Sequence, residues 1–153
     1  MIDFSQMAVR LAVALVLGAL MGLERELVHK EAGIRTSMMV AGGAAIFTLI
    51  GLDLPYLIAS SPEAVPAILA GNAGFLNLIA NVAVGIGFLG AGIIIKTEER
   101  VHGLTTAAVV WVTGAIGVLC GLGLLSFAAA ATIALAILLY LLRKIDLTNA
   151  ADL

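Results

Sequence analysis

Five apolar stretches alternate with short runs that hold almost all of the charge: approximately Phe4–Leu23, Thr36–Leu52, Ala73–Ile95, Leu104–Cys120 and Leu124–Tyr140, the last continuing to about residue 142. A helix rises about 1.5 Å per residue and needs about 20 mostly apolar residues to cross a hydrocarbon core of roughly 30 Å, so each stretch predicts a transmembrane helix. The second and fourth are short, yet their ends carry strong signals. Asp53 and Pro55 predict the close of one helix, and Gly121-Leu122-Gly123 leaves just enough chain for a tight hairpin between the last two. Between Asp53 and Asn72, the string Ser61-Pro62-Glu63 predicts a short helix lying at the interface. The first stretch has no basic n-region and ends in Gly22-Leu23-Glu24-Arg25-Glu26 rather than a small-x-small cleavage pattern, so it is expected to be a retained helix.

Composition points to lipid as the main solvent. Of 153 residues, 62% are hydrophobic and only 12% charged, with a mean hydropathy of +1.16, whereas a soluble domain carries about a quarter charged residues. The expected fold is an all-α integral membrane protein: residues 1–153 as a single bundle of five transmembrane helices, with no soluble C-terminal domain. Lys and Arg set its orientation, because cytoplasmic loops carry their excess. Arg25, Lys30 and Arg35 lie between the first and second spans, Lys96 and Arg100 between the third and fourth, and Arg143 and Lys144 after the fifth. Asp53–Asn72 and Gly121–Gly123 carry none, so seven of eight positive residues fall on one side. That places the N-terminus outside and the C-terminus in the cytoplasm. The net charge of −2, without a basic stripe, excludes a nucleic-acid partner. Cys120, the one cysteine, excludes an internal disulfide and a cysteine-based metal cage.

Small residues supply the packing chemistry. Gly85-Ile86-Gly87-Phe88-Leu89-Gly90 spells a dinucleotide-binding pattern, but that pattern works between a strand and a helix, and here it sits inside an apolar span. Close helix contact is the better reading: Ala83, Gly87 and Ala91 recur every four residues, as do Ala14, Gly18 and Gly22 in the first span and Gly117 and Gly121 in the fourth. The run Gly85, Gly87, Gly90, Gly92 equally permits a broken helix beside a polar cavity or an unbroken, tightly packed one.

Polar groups at depth are the candidate functional residues. Asn77 and Asn81 share a helix face at i, i+4 and are expected to point inward, as interhelical glue or as the lining of a pathway. Asn72 and Thr113 pose the same question more weakly, and Arg10 is expected to snorkel or to pair, with Asp53 as one partner. In the segment Glu24–Thr36, Glu26 with Lys30 and Glu31 with Arg35 fit i, i+4 ion pairs of a short interfacial helix. Glu24, Glu26 and Glu31 offer carboxylates to a hard cation such as Mg²⁺, against repulsion from the adjacent basic residues. His29 has no second histidine at metal spacing, and no Ser/His, Asp/Asp or His/Glu constellation sits at depth, so neither a cofactor nor an enzymatic activity is expected.

Four strings together are specific. Gly22-Leu23-Glu24-Arg25-Glu26, Ala32-Gly33-Ile34-Arg35-Thr36, Gly85-Ile86-Gly87-Phe88-Leu89-Gly90-Ala91-Gly92 and Gly103-Leu104-Thr105-Thr106-Ala107-Ala108 followed by Trp111 resemble the MgtC/SapB family of bacterial inner-membrane proteins, over about residues 10–142. The resemblance implies a five-helix membrane domain, often a homodimer, tied to growth at low Mg²⁺ and to virulence through survival inside macrophages. It further implies a regulator of other ion-translocating membrane complexes, such as an F-type ATP synthase or a cation ATPase. Its motif positions here are Glu24, Arg25, Glu26, Arg35, Thr36, Gly85, Gly87, Gly90, Gly92, Gly103, Thr105 and Thr106. The starts of spans two and four are then expected to converge with Glu24–Glu26 as an ion or headgroup site, or as a latch between spans. Two departures stand out: the family commonly has an Arg and a Gln where this chain has Asn77 and Asn81, and longer members continue into a soluble cytoplasmic domain. The rival expectation is a transporter or channel for a small ion, magnesium included, lined by Asn77, Asn81 and the glycine run.

Overall fold

Asp3 starts the first helix by accepting hydrogen bonds from the Ser5 hydroxyl and, at 3.2 Å, from the Ser5 N–H. The same two bonds, the hydroxyl's first, hold the Asp3 carboxyl below its ordinary value. The computed structural model describes residues 1–71, 74–98 and 100–151. Helices α1 (Phe4–Leu27) and α2 (Ile34–Ile58) are followed by a 3₁₀ turn (Pro62–Ala64) and the short α3 (Val65–Gly71). Then come α4 (Gly74–Ile93), the two-residue strands β1 (Ile95–Lys96) and β2 (Val101–His102), α5 (Leu104–Leu122) and α6 (Leu125–Ala151). Among the described residues four helices are long and apolar enough to cross a membrane: α1, α2, α5 and Leu125–Lys144 of α6; the apolar part of α4, Asn77–Ile93, is shorter. The chain is an all-α membrane protein. Its surface fits that solvent, with Phe4, Met39, Val84 and Phe88 among many large apolar side chains left outside the bundle.

Two expected boundaries are corrected. Pro55 does not close α2, which continues to Ile58. A proline forfeits its own hydrogen bond to the residue four earlier and crowds that carbonyl, a cost that helices in a membrane bundle tolerate, and less than one further turn follows it. Nor is there an interfacial helix through Glu24–Thr36. Helix α1 ends at Leu27, and His29 takes a left-handed φ of 52° while the Lys30 N–H closes on the Arg25 carbonyl at 3.0 Å, which turns the chain. The Glu26 carboxylate accepts from the Ile34 N–H at 2.8 Å, capping α2 instead of pairing with Lys30.

The core is built on close backbone approach. A Cβ on Gly18 would lie 2.6 Å from the Ser37 carbonyl oxygen, and one on Gly22 would lie 2.7 Å from that of Gly33, so α1 and α2 touch main chain to main chain. Gly117 abuts the Ala41 backbone and Gly121 the Thr48 side chain, joining α5 to α2. These are the small-residue faces expected of the first and fourth spans. The third differs: α4 is an unbroken helix that seats Ile86 against Gly114 and Gly90 against Ala107, while Gly85, Gly87 and Gly92 would meet nothing within 4 Å. The central cluster holds Ala14, Leu17, Met21, Ala45, Val109, Ile116, Cys120 and Ala128. Thr48, Thr113 and Thr132 are buried there because each hydroxyl donates to the carbonyl four residues back, at 2.7–2.8 Å. That answers the question posed by Thr113; Asn72 lies outside the described residues.

The α5–α6 hairpin forms as expected, with Gly123 at φ 86° and the Leu124 N–H on the Leu119 carbonyl at 2.9 Å. Arg10 finds its partner here: its Nη1 donates to the Gly121 carbonyl at 2.8 Å, while Asp53, buried, accepts from the Ile2 N–H at 2.8 Å.

Candidate functional site

At the end of the bundle opposite Arg10, the end of α1, the start of α2, the β1–β2 hairpin and the start of α5 come together. Arg25 is 7% exposed, and its Nε and Nη2 both hold the Glu24 Oε2. The other Glu24 oxygen accepts no hydrogen bond among the described residues, and Nη1 of Arg143 on α6 stands 3.9 Å from it. Gly103, at φ 83° and pressed against the Ile93 carbonyl, turns the chain from β2 into α5. Because the first helical bond of α5 runs from the Ala107 N–H to the Gly103 carbonyl at 2.8 Å and no side chain caps the helix, its first-turn N–H groups are unpaired among the described residues. They border a cavity of about 340 Å³, lined by Arg25, Lys30, Glu31, His102, Thr105 and Thr106 among others.

The expected convergence is therefore half realised. Glu24, Arg25, Gly103, Thr105 and Thr106 gather at this end, but Arg35 and Thr36 are exposed and make no side-chain hydrogen bond or ion pair among the described residues. The three carboxylates do not meet as a cation cage: Glu24 is held by Arg25, Glu26 by the Ile34 N–H, and no group of three His, Cys, Asp or Glu suited to a metal occurs among the described residues. The Ile95–His102 hairpin, which brings His102 to the cavity, is not expected from the sequence. Its only signal is the β-branched run Ile93-Ile94-Ile95 before a polar turn.

The second candidate surface is on α4. Asn77 and Asn81 do not point inward; both are exposed and make no hydrogen bond among the described residues. The reason is geometric. Helix α4 packs through Val82, Ile86, Gly90 and Ile93, a narrow arc, and Asn77, Asn81, Val84, Gly85, Phe88 and Gly92 lie on the exposed remainder. Beside them a cavity of about 410 Å³ opens between α2 and α4, lined by Gly43, Phe47, Leu78, Gly85 and Leu89, with Asn81 the one polar residue in its wall among the described residues.

A family model described as "MgtC family" matches residues 11–147. Curated relatives include "Protein MgtC" of Brucella abortus (strain 2308), 43% identical over 123 residues, which are 80% of this chain and 45% of the relative. "Protein MgtC" of Salmonella typhimurium (strain LT2) is 42% identical over 134 residues, 88% of this chain and 51% of the relative. The chain thus spans about half the length of the curated relatives it matches. No solved structure matches it.

Proposed function

The chain belongs to the MgtC family, and on that premise we propose that it is a non-enzymatic inner-membrane regulator of larger ion-translocating complexes, acting in adaptation to low magnesium. In this reading five helices cross the bilayer, α4 included, with the N-terminus outside and the C-terminus in the cytoplasm. The observation that carries it is the outward face of α4. Two amides and two open glycines on a helix turned toward hydrocarbon are costly, since an amide without a partner there loses about 1–3 kcal/mol. A transmembrane helix of the target complex relieves that cost: it approaches closely over Gly85 and Gly92 and exchanges hydrogen bonds with Asn77 and Asn81. The apolar wall of the α2–α4 cavity favours this docking over ion passage, because a permeant cation needs oxygen ligands along its path. The second reading, a small-ion pathway, rests on the Asn81 amide in that same wall.

One experiment separates them. Replacing Asn77 and Asn81 together by Leu leaves the melting temperature of the detergent-purified chain unchanged or higher, because neither amide is bonded within the bundle. The same change abolishes co-purification of the target complex from native membranes, and liposomes holding the unaltered chain move neither protons nor Mg²⁺. Cation flux that the double substitution eliminates would establish the pathway instead.

A further inference from the structure

We propose that the cavity at the basic end binds a phosphate-type oxyanion, supplied either as free phosphate or as the phosphodiester of an anionic lipid headgroup. It lies away from the α4 face, so this site and the regulatory role can fail independently. Three features point into the same space. Thr106 is 2% exposed and lines the cavity, yet its hydroxyl has no hydrogen-bond partner among the described residues. The other buried threonines bond to a helical carbonyl four residues back; for Thr106 that residue is His102, in a strand, and the local bond is not formed. Its oxygen is not sealed off, for among the described residues Glu24 Oε1 alone is a fully buried side-chain atom without a partner; the Thr106 hydroxyl therefore opens onto the cavity, where an anion can accept from it.

The uncapped first turn of α5 is the second feature. Its N–H groups and the positive end of a 19-residue helix face the same volume, the arrangement that binds oxyanions at helix N-termini. Arg25 is the third: with Nε and Nη2 occupied by Glu24, its Nη1 has no partner within the described chain, and Lys30 and His102 add donors to the wall. Glu31 is the one carboxylate in the lining among the described residues and is exposed, so water screens its charge; the Arg25 charge is already paired with Glu24, which leaves Lys30 and the α5 amides as the positive groups that an anion would meet.

The test uses the full chain in phosphatidylcholine nanodiscs, titrated with inorganic phosphate, and in nanodiscs containing phosphatidylglycerol, followed by native mass spectrometry of retained lipid. A saturable rise in melting temperature with phosphate identifies the free anion. Selective retention of phosphatidylglycerol, with no further effect of phosphate, identifies the headgroup. In either case Lys30→Gln weakens binding about 3- to 5-fold and Thr106→Val about 5- to 10-fold, the losses expected for one screened charge and one charge-assisted hydrogen bond. Lys30 is exposed, so its substitution leaves the unliganded melting temperature in place and keeps the test valid should Thr106→Val fold poorly. Binding of neither probe, equal binding by both variants, or stabilisation by magnesium chloride in place of phosphate would overturn the proposal.

Discussion

Arg10 and Arg35 carry the same charge and opposite consequences. Arg10 ties α1 to the α5–α6 turn through the Gly121 carbonyl, and a Cβ on Gly123 would meet its guanidinium at 2.9 Å, so the site is closed around it. Arg10→Gln should cost about 1.5–3 kcal/mol, the value of a hydrogen bond to a charged group, and lower the melting temperature in detergent accordingly. Arg35→Ala should stay within about 0.5 kcal/mol, because the side chain is exposed and has no partner among the described residues. If Arg35→Ala melted as low as Arg10→Gln, the placement of the α2 start would be wrong. The sequence shows that Arg10 needs a partner, since a charge within an apolar span demands one. It does not show which, because a carbonyl freed at a helix C-terminus is main chain and leaves no mark in residue identity.

At the scale of the helices, the glycines divide into those that are filled and those that are open, and a single methyl group distinguishes them. Gly117→Ala drives a Cβ into the Ala41 main chain, which cannot yield as a side-chain tip can, so α2 and α5 must separate at a cost of about 1–3 kcal/mol. Gly85→Ala meets nothing and should stabilise the isolated chain by about 0.5–1 kcal/mol through helix propensity, while impairing capture of a partner on α4. Melting and co-purification of the two variants should therefore move in different combinations; loss of stability in Gly85→Ala would mean that α4 is rotated from the arrangement described. Periodicity makes the spans themselves legible, along with the packing faces of α1 and α5, because four-residue spacing of small residues has one geometric meaning. It misplaces the face of α4. Two stripes compete there, and the winner, Ile86 with Gly90, mixes a large residue and a small one: the knob is Ile86 and its hole is Gly114 on another helix. The left-handed turn at His29 is not legible either, because histidine is enriched in that conformation but adopts it in only a small minority of positions.

For the whole molecule, the segregation of basic residues becomes a spatial fact with a topological consequence. Arg25 and Lys30 share a cavity with the hairpin end at His102, and Arg143 reaches Glu24, so the ends of α1 and α6 and the starts of α2 and α5 occupy one end of the bundle. The 3₁₀ turn at Pro62–Ala64 follows α2 at its other end. In the proposed reading the basic end faces the cytoplasm, because moving Lys and Arg across the membrane is disfavoured. Cys120 is fully buried, so a Cys120→Ala background allows single cysteines to report accessibility. Ser61, Glu31 and Glu98 are exposed and not basic, and replacing them leaves the insertion bias intact. In intact cells a membrane-impermeant maleimide should label Ser61→Cys at once, and Glu31→Cys and Glu98→Cys only after permeabilisation. The pair at 31 and 98 is the informative part. Two spans, α2 and α4, separate those positions, so they report from one compartment only if α4 crosses the bilayer as α2 does. Labelling of Glu98→Cys from outside, with Glu31→Cys protected, would take α4 out of the membrane, reduce the crossings to four and remove the face on which the regulatory reading stands.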